Sequence, residues 1–316
     1  MVEVQQLEVG GRTTTIRPAT SADLDAVETH YQSLPAEDLR RRFLSSFWPR
    51  RSFLERWLAH NDRGGLVLLA LETGPDGERV VADAGYAPVG AEVGEFAMTV
   101  APDRRGWLGP YLLDVLLGHA HDLGVAVLTA EVLAANAGML SLLWSRGCAL
   151  RPTRDATVLE VLIGTSGTTP TWPADDPHPR VLIEGPASAW PGSVLAGQDS
   201  HAVLACPGPH AGRSHPCPLL DGRSCPLVDG ADVVLVALGP TAVGGDALLA
   251  AHAARGDGPP VGLRRDLRGR APESLARGAF HLDPMASPAE ATTTVHAAIA
   301  AARRTDGGQA EARSSR

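Results

Sequence analysis

The chain of 316 residues is 44% hydrophobic and carries a formal net charge of −8, a length that suits two ordinary domains with their own cores. The acidic balance argues against nonspecific nucleic-acid binding, which draws its affinity from clustered cations on phosphates. No apolar run approaches the ~20 residues that a membrane helix needs, and four cysteines in a chain this size do not make a secreted disulfide framework.

The opening residues MVEVQQLEVGGR lack the basic-then-apolar pattern of a signal peptide, so a cytoplasmic protein is expected. Residues 13–18, TTTIRP, read as a β-branched first strand, and Thr20-Ser-Ala-Asp23 supplies N-cap chemistry for a helix through Tyr31. Residues 39–58 carry apolar positions at helical spacing and read as a second helical region. Residues 66–71 (LVLLAL) form a buried strand, Gly74-Pro-Asp-Gly77 a turn and residues 79–86 its hairpin partner. Residues 94–100 (GEFAMTV) make a further strand, followed by a turn and a helix from about Pro110 to Leu123. A strand over 125–132 and a helix over 137–146 complete a mixed α/β half.

Residues 164–179, GTSGTTPTWPADDPHP, have linker composition. Beyond them, short apolar runs at 181–183, 202–205, 233–238, 260–263 and 279–282 alternate in the later part with helical stretches at 245–255 and 288–304. That order argues for a second α/β domain with a parallel sheet over 180–304, and the last dozen residues read as a disordered tail. All 28 basic residues are arginine. An abundance of Ala, Gly, Pro and Arg fits a GC-rich genome; whatever the cause, no lysine amine is available as a base or Schiff-base former.

The turn at residues 100–113, VAPDRRGWLGPYLL, joins a strand end to an apolar helix and so gathers unpaired N–H groups and a positive dipole end, with Arg104 and Arg105 adding charge. Such a point binds anions, although an Arg-Gly turn before a helix commonly serves only as a cap. GEFAMTVAPDRRGWLGPYLL, followed by LTAEVLAANAGMLSLLWSRG, resembles the core of the GNAT N-acetyltransferases. The likeness is closest to the bacterial protein-acetyltransferase branch, in which an acidic residue opens the strand before the acyl-CoA turn, and it spans residues 13–163. The resemblance implies acetyl transfer from acetyl-CoA, as acyl-donor substrate, to an amine or a protein lysine. It implies that Met98, Thr99 and Val100 pair with the pantetheine arm, that Arg105, Gly106, Trp107, Leu108, Gly109, Pro110 and Tyr111 surround the pyrophosphate, and that Asn136 lies near the thioester end.

Glu95 matches the family's acidic residue and would take the proton an amine must lose before it attacks; otherwise it is a solvent-facing strand residue. The family turn usually carries one more glycine than Arg105-Gly-Trp-Leu-Gly-Pro110, so Trp107 or a gap replaces it, and Pro110 at the first helical position removes an N–H. Leu143 stands where many family members place a tyrosine.

In the second half the five strand-like runs weakly resemble a response-regulator receiver, and an unrelated flavodoxin-like α/β unit accounts for them equally. Ala237 would replace the phosphoacceptor Asp and Asp283 the Lys, leaving a pseudo-receiver used for partner contacts. Cys206, Cys217 and Cys225, with His210 and His215, offer ligand types for zinc or an iron–sulfur centre. Their spacing matches no standard knuckle, so no metal is expected and free loop thiols are, with Cys148 a core residue. The competing reading of the whole chain is a non-catalytic acyl-CoA sensor or scaffold in which both halves have lost their chemistry.

Overall fold

A computed structural model describes residues 4–9, 11–74, 77–155, 157–167, 170–172, 177–185, 200–206, 208–209, 217–237, 244–255, 258–264, 271–283 and 285–314. The chain forms two compact units. Unit 1 holds Met1–Leu142 with Asp155–Thr168, and unit 2 holds Leu143–Arg154 with Thr169–Arg316. The sequence places the boundary near residue 164, but residues 143–154 cluster with unit 2. The reason is β7 (Ala149–Pro152), whose Leu150 pairs antiparallel with Ala205 of β10 (Ala202–Cys206).

In unit 1, β1 (Gln5–Val9), β2 (Arg12–Pro18), β3 (Leu66–Gly74), β4 (Gly77–Pro88), β5 (Val93–Val100), β6 (Val127–Leu133) and β8 (Val158–Gly164) lie side by side in that order. Every neighbouring pair is antiparallel except β5 with β6. Strand β3 is buried on both faces from Leu66 to Leu71, which is why its sequence is continuously apolar rather than alternating.

The entry to α1 (Leu24–Ser33) is fixed by a reciprocal cap, in which the Thr20 N–H and hydroxyl both donate to the Asp23 carboxylate at 2.7 and 2.8 Å. Arg17 adds two more donors at 2.6 and 2.8 Å. Together they hold Asp23 at a pKa of about 2 against its burial, with the Arg17 hydrogen bonds the largest cause. The helical region expected over 39–58 is two helices, α2 (Ala36–Phe43) and α3 (Arg51–Leu58), because Leu44 turns left-handed at φ 56°. Helices α1, α2 and α3 bury Val27, Tyr31, Leu39, Leu54 and Trp57 against Val67, Leu69 and Leu71 of β3. Helix α4 (Leu108–Asp122) covers the opposite face, where Tyr86 of β4 donates to or accepts from Nδ1 of His119 at 3.0 Å.

In unit 2 the sheet order is β7, β10, β9 (Arg180–Glu184), β11 (Val233–Val236), β12 (Val261–Arg264), β13 (Phe280–Leu282), and all pairs from β10 to β13 are parallel. Numbered within the parallel set, that is the 2-1-3-4-5 order of flavodoxin-like folds. Helix α5 (Ala137–Ser145) follows β6 and lies mostly in unit 1, and in unit 2 helices α6 (Pro226–Asp229), α7 (Gly245–Ala254), α8 (Glu273–Gly278) and α9 (Pro288–Ser314) follow β10, β11, β12 and β13. Two expectations change. Helix α9 runs through the stretch whose composition reads as a tail, and Trp172, within the expected linker, is buried with its Nε1–H donating to the Leu227 carbonyl at 2.7 Å.

Candidate functional site

Strands β5 and β6 pair only at Val93 with Val127, Gly94 with Leu128 and Glu95 with Thr129. Beyond those rungs β5 keeps its ladder with β4 as far as Val100, and β6 keeps its ladder with β8 as far as Leu133. The facing edges of Phe96–Val100 and Ala130–Leu133 therefore part, and alternate N–H and C=O groups there have no partner from each other. Interior backbone groups left in that state carry a desolvation cost, and an extended ligand bearing amides can relieve it as an added strand would. Met98, Thr99 and Val100 all lie on the parted edge.

The first turn of α4 closes the far end of the gap. A Cβ on Gly109 would lie 3.9 Å from Cγ2 of Val100 and 3.8 Å from Cδ2 of Leu142, so the helix start sits between β5 and α5. Gly106 has φ 96°, which favours glycine, and open space where a side chain would be. The helix begins at Leu108 rather than Pro110, so Pro110 is its third residue, still in the turn whose N–H groups have no intrahelical acceptor. Leu108 and Gly109 keep such N–H groups. Trp107 is half-buried at the N-cap with φ −116°, a backbone conformation that any residue adopts, and Tyr111 is half-buried one turn on.

The two arginines of the turn differ in role. Arg104 is buried and turned into the protein, where its Nε and Nη2 meet both oxygens of the buried Glu72 at 2.5 and 2.7 Å. It is therefore a structural ion pair and not the source of anion-binding charge expected from its place in the turn. Arg105 is exposed and reaches Asp38 of α2 at 2.5 Å. Asn136 caps α5, its Oδ1 accepting from the Met139 N–H at 3.3 Å.

Glu95 is exposed on the α1–α3 face of the sheet, at the last rung before the strands part. The register puts Ala87 beside it on β4 and Thr129 on β6, with Glu131 exposed two residues further along β6. The same face holds a buried network absent from the sequence reading. The Asp83 carboxylate accepts from Tyr31 at 3.1 Å, from Trp57 Nε1 at 2.9 Å and from the Thr99 hydroxyl, and Thr99 Oγ1 in turn lies 2.8 Å from His30 Nε2. Burial holds the His30 imidazole below its ordinary value, with Asp83 opposing. Burial drives the Tyr31 phenol upward, so it remains a donor. The one available signal was an aspartate inside the apolar run VVADAGYA.

In unit 2, Cys206, Cys217 and Cys225 are buried, Cys206 at the end of strand β10 rather than in a loop, and burial pushes the Cys225 thiol up to about 11. Among the described residues no group of His, Cys, Asp and Glu is placed to hold a metal ion, and His210 and His215 lie outside those residues. Ala237 follows β11 and is buried, and Asp283 follows β13 and is exposed. Glu184, ending β9, is also buried, where Nε2 of His252 meets it at 2.6 Å; that carboxylate raises the imidazole pKa against its burial. Cys148 and Leu143 are fully buried.

No protein-family model matches the chain, and no curated protein sequence matches it. Solved structures similar to about half of it include acetyltransferases of the GNAT type. The GNAT domain of S. lividans PAT is 21% identical over 51% of this chain and 96% of its own, with a TM-score of 0.46. A ribosomal-protein-alanine N-acetyltransferase from Brucella melitensis is 27% identical over 47% and 96%, with a TM-score of 0.37. A phosphinothricin acetyltransferase from Sinorhizobium meliloti, in complex with AcCoA, is 19% identical over 51% and 94%, with a TM-score of 0.40.

Proposed function

We propose that unit 1 transfers an acetyl group from acetyl-CoA to an amine, with a protein lysine as the acceptor. The observation that carries this reading is the parting of β5 and β6 after Glu95, which leaves an amide-lined slot ending at the bare N–H groups of a helix start. Pantetheine carries two amides that can complete the open edge at Met98–Val100, and the pyrophosphate suits the N–H groups of Gly106, Leu108 and Gly109 with Arg105 beside them. The thioester then lies toward the closed end of the slot, within reach of Glu95.

Attack by the amine forms the C–N bond and moves the carbonyl π electrons onto oxygen, and the C–S bond breaks as that tetrahedral intermediate collapses. An N–H on the parted edge near Met98 stabilises the oxyanion, and the thiolate leaves with a proton from the attacking nitrogen. Glu95 holds the ammonium and accepts its first proton. Acetyl-CoA turnover against an amine and lysine-peptide panel, with calorimetry of CoA, tests this. Glu95→Gln should lower kcat about 100-fold or more with CoA affinity unchanged. No turnover by the wild type with any acceptor would sink the reading.

Unit 2 serves as a docking or regulatory module, since the end of β11 carries Ala237 where a receiver would need a phosphoacceptor. The second reading of unit 1, an acyl-CoA sensor without turnover, is favoured by the turn itself: Arg104 is bound to Glu72, Arg105 to Asp38, and Trp107 or a gap stands in for a glycine of the family turn. It predicts CoA binding with no acetylated product.

A further inference from the structure

The ammonium must lose a proton before its nitrogen can attack, so a group that takes that proton on from Glu95 toward solvent would have a clear use. We propose that His60 receives, through Glu95, the proton that the incoming ammonium loses before attack. This rests on the acetyltransferase reading of the same site.

His60 lies in the 3₁₀ turn Ala59–Asp62 that ends α3, and its carbonyl accepts the N–H groups of Arg63 and Gly65 at 3.0 Å each. A Cβ on Gly65 would fall 3.2 Å from Cβ of His60 and 2.4 Å from the carbonyl oxygen of Tyr86. His60 therefore stands over bare backbone at the start of β3, against the end of β4. Only a glycine fits that close approach. The next residue of β4, Ala87, is the register partner of Glu95. Gly65 and Ala87, which lie between His60 and Glu95, thus bring no side chain larger than a methyl group.

Trp57 backs the imidazole edge-on, with ring centroids 5.7 Å apart, and its own Nε1–H is fixed on Asp83 at 2.9 Å. His60 is half-buried, with a route to water for an acquired proton. Two charged groups act on it, Arg63 from its own turn and Glu95 from β5, while the neighbouring parts of β3 and β4 bring none. Burial and then Arg63 hold the imidazole below its ordinary value, and Glu95 opposes them.

The proton balance is complete without a further reactant. The ammonium yields one proton to Glu95, which passes it to His60 and thence to solvent. The second proton of the attacking nitrogen goes to the departing thiolate. His60 does not touch the substrate; it acts through Glu95 as a positioning and proton-holding residue.

Two measurements on the full chain test this. In steady-state kinetics, His60→Gln should lower kcat about 100-fold while KM for acetyl-CoA stays unchanged. The wild-type fall in kcat/KM on acidification, below about pH 6.5, should disappear with it. Independently of activity, NMR titration of the His60 imidazole should show its pKa falling in Glu95→Gln, because the carboxylate that favours the imidazolium has gone. A His60→Gln enzyme with the wild-type rate and acid limb would overturn the inference and leave the acetyltransferase reading standing, as would a His60 titration indifferent to Glu95→Gln. A wild type that turns over no amine would overturn both.

Discussion

Thr99→Val isolates the buried network that holds β5 in place. Valine matches threonine in shape, so the cavity and overpacking terms are small and the change removes only a hydroxyl. That hydroxyl donates to Asp83 and lies 2.8 Å from His30 Nε2, in a site from which water is excluded. Without it, Asp83 keeps two donors, Tyr31 and Trp57, but loses a charge-assisted bond of about 1.5–3 kcal/mol, and a buried imidazole nitrogen left without a partner costs about 1–3 kcal/mol. The sum, about 2.5–6 kcal/mol, is a large share of the stability of an ordinary domain, about 5–15 kcal/mol. Urea denaturation should show a lower midpoint at an unchanged m-value, with Thr99→Ser, which keeps the hydroxyl, losing about 1 kcal/mol for its missing methyl group. If valine costs no more than serine, the network contributes little and the placement of β5 has another cause.

The two arginines of the turn should separate cleanly. Arg104→Ala leaves the buried Glu72 with the Thr14 hydroxyl at 3.4 Å, Arg79 at 3.5 Å and Arg12 at 3.9 Å, so it should cost about 3–5 kcal/mol in denaturant melts. Arg105→Ala should barely alter stability while weakening CoA binding in calorimetry; equal stability losses would contradict their assigned roles. The units should also respond oppositely to pH. His30 in unit 1 is held below its ordinary 6.5, so its contribution is present above that value and lost as pH falls through the folded pKa. His252 in unit 2 is raised beside Glu184, so its contribution is full below 6.5 and lost as pH rises through its folded pKa. Denaturant melts at a series of pH values, read by pulse-labelled hydrogen exchange on β4 and β9 peptides, should move in opposite senses; movement in one common sense would refute the assignment.

All strands but β1, β7 and β8 were legible in the sequence, as was the turn, because they rest on local patterns: an apolar run for β3, Gly and Arg spacing for the turn, an acidic residue opening β5. What escaped depends on partners far apart along the chain. Nothing in Asp103-Arg-Arg-Gly106 tells which arginine turns inward; Glu72, 32 residues before Arg104, decides it. Asp83, His30 and Thr99 share no spacing, and His60 meets the site only through strand register. Trp172 sits in a Pro- and Thr-rich stretch, and its burial follows from the shape of Leu227–Gly230, which the stretch itself does not encode. The break after Leu44 had a signal in Ser45-Ser46 and Pro49, which the helical spacing of the apolar residues on either side outweighed in the reading of 39–58.

The parted edge of β5 is the centre of the account, and hydrogen–deuterium exchange of the full chain with and without acetyl-CoA reads it most directly. Binding should slow exchange at the amides of Phe96–Val100 and of Gly106–Gly109, leaving β3 unchanged. Protection confined to other segments, or none at saturating acetyl-CoA, would contradict the assignment of the slot between β5 and β6 as the acyl-donor site.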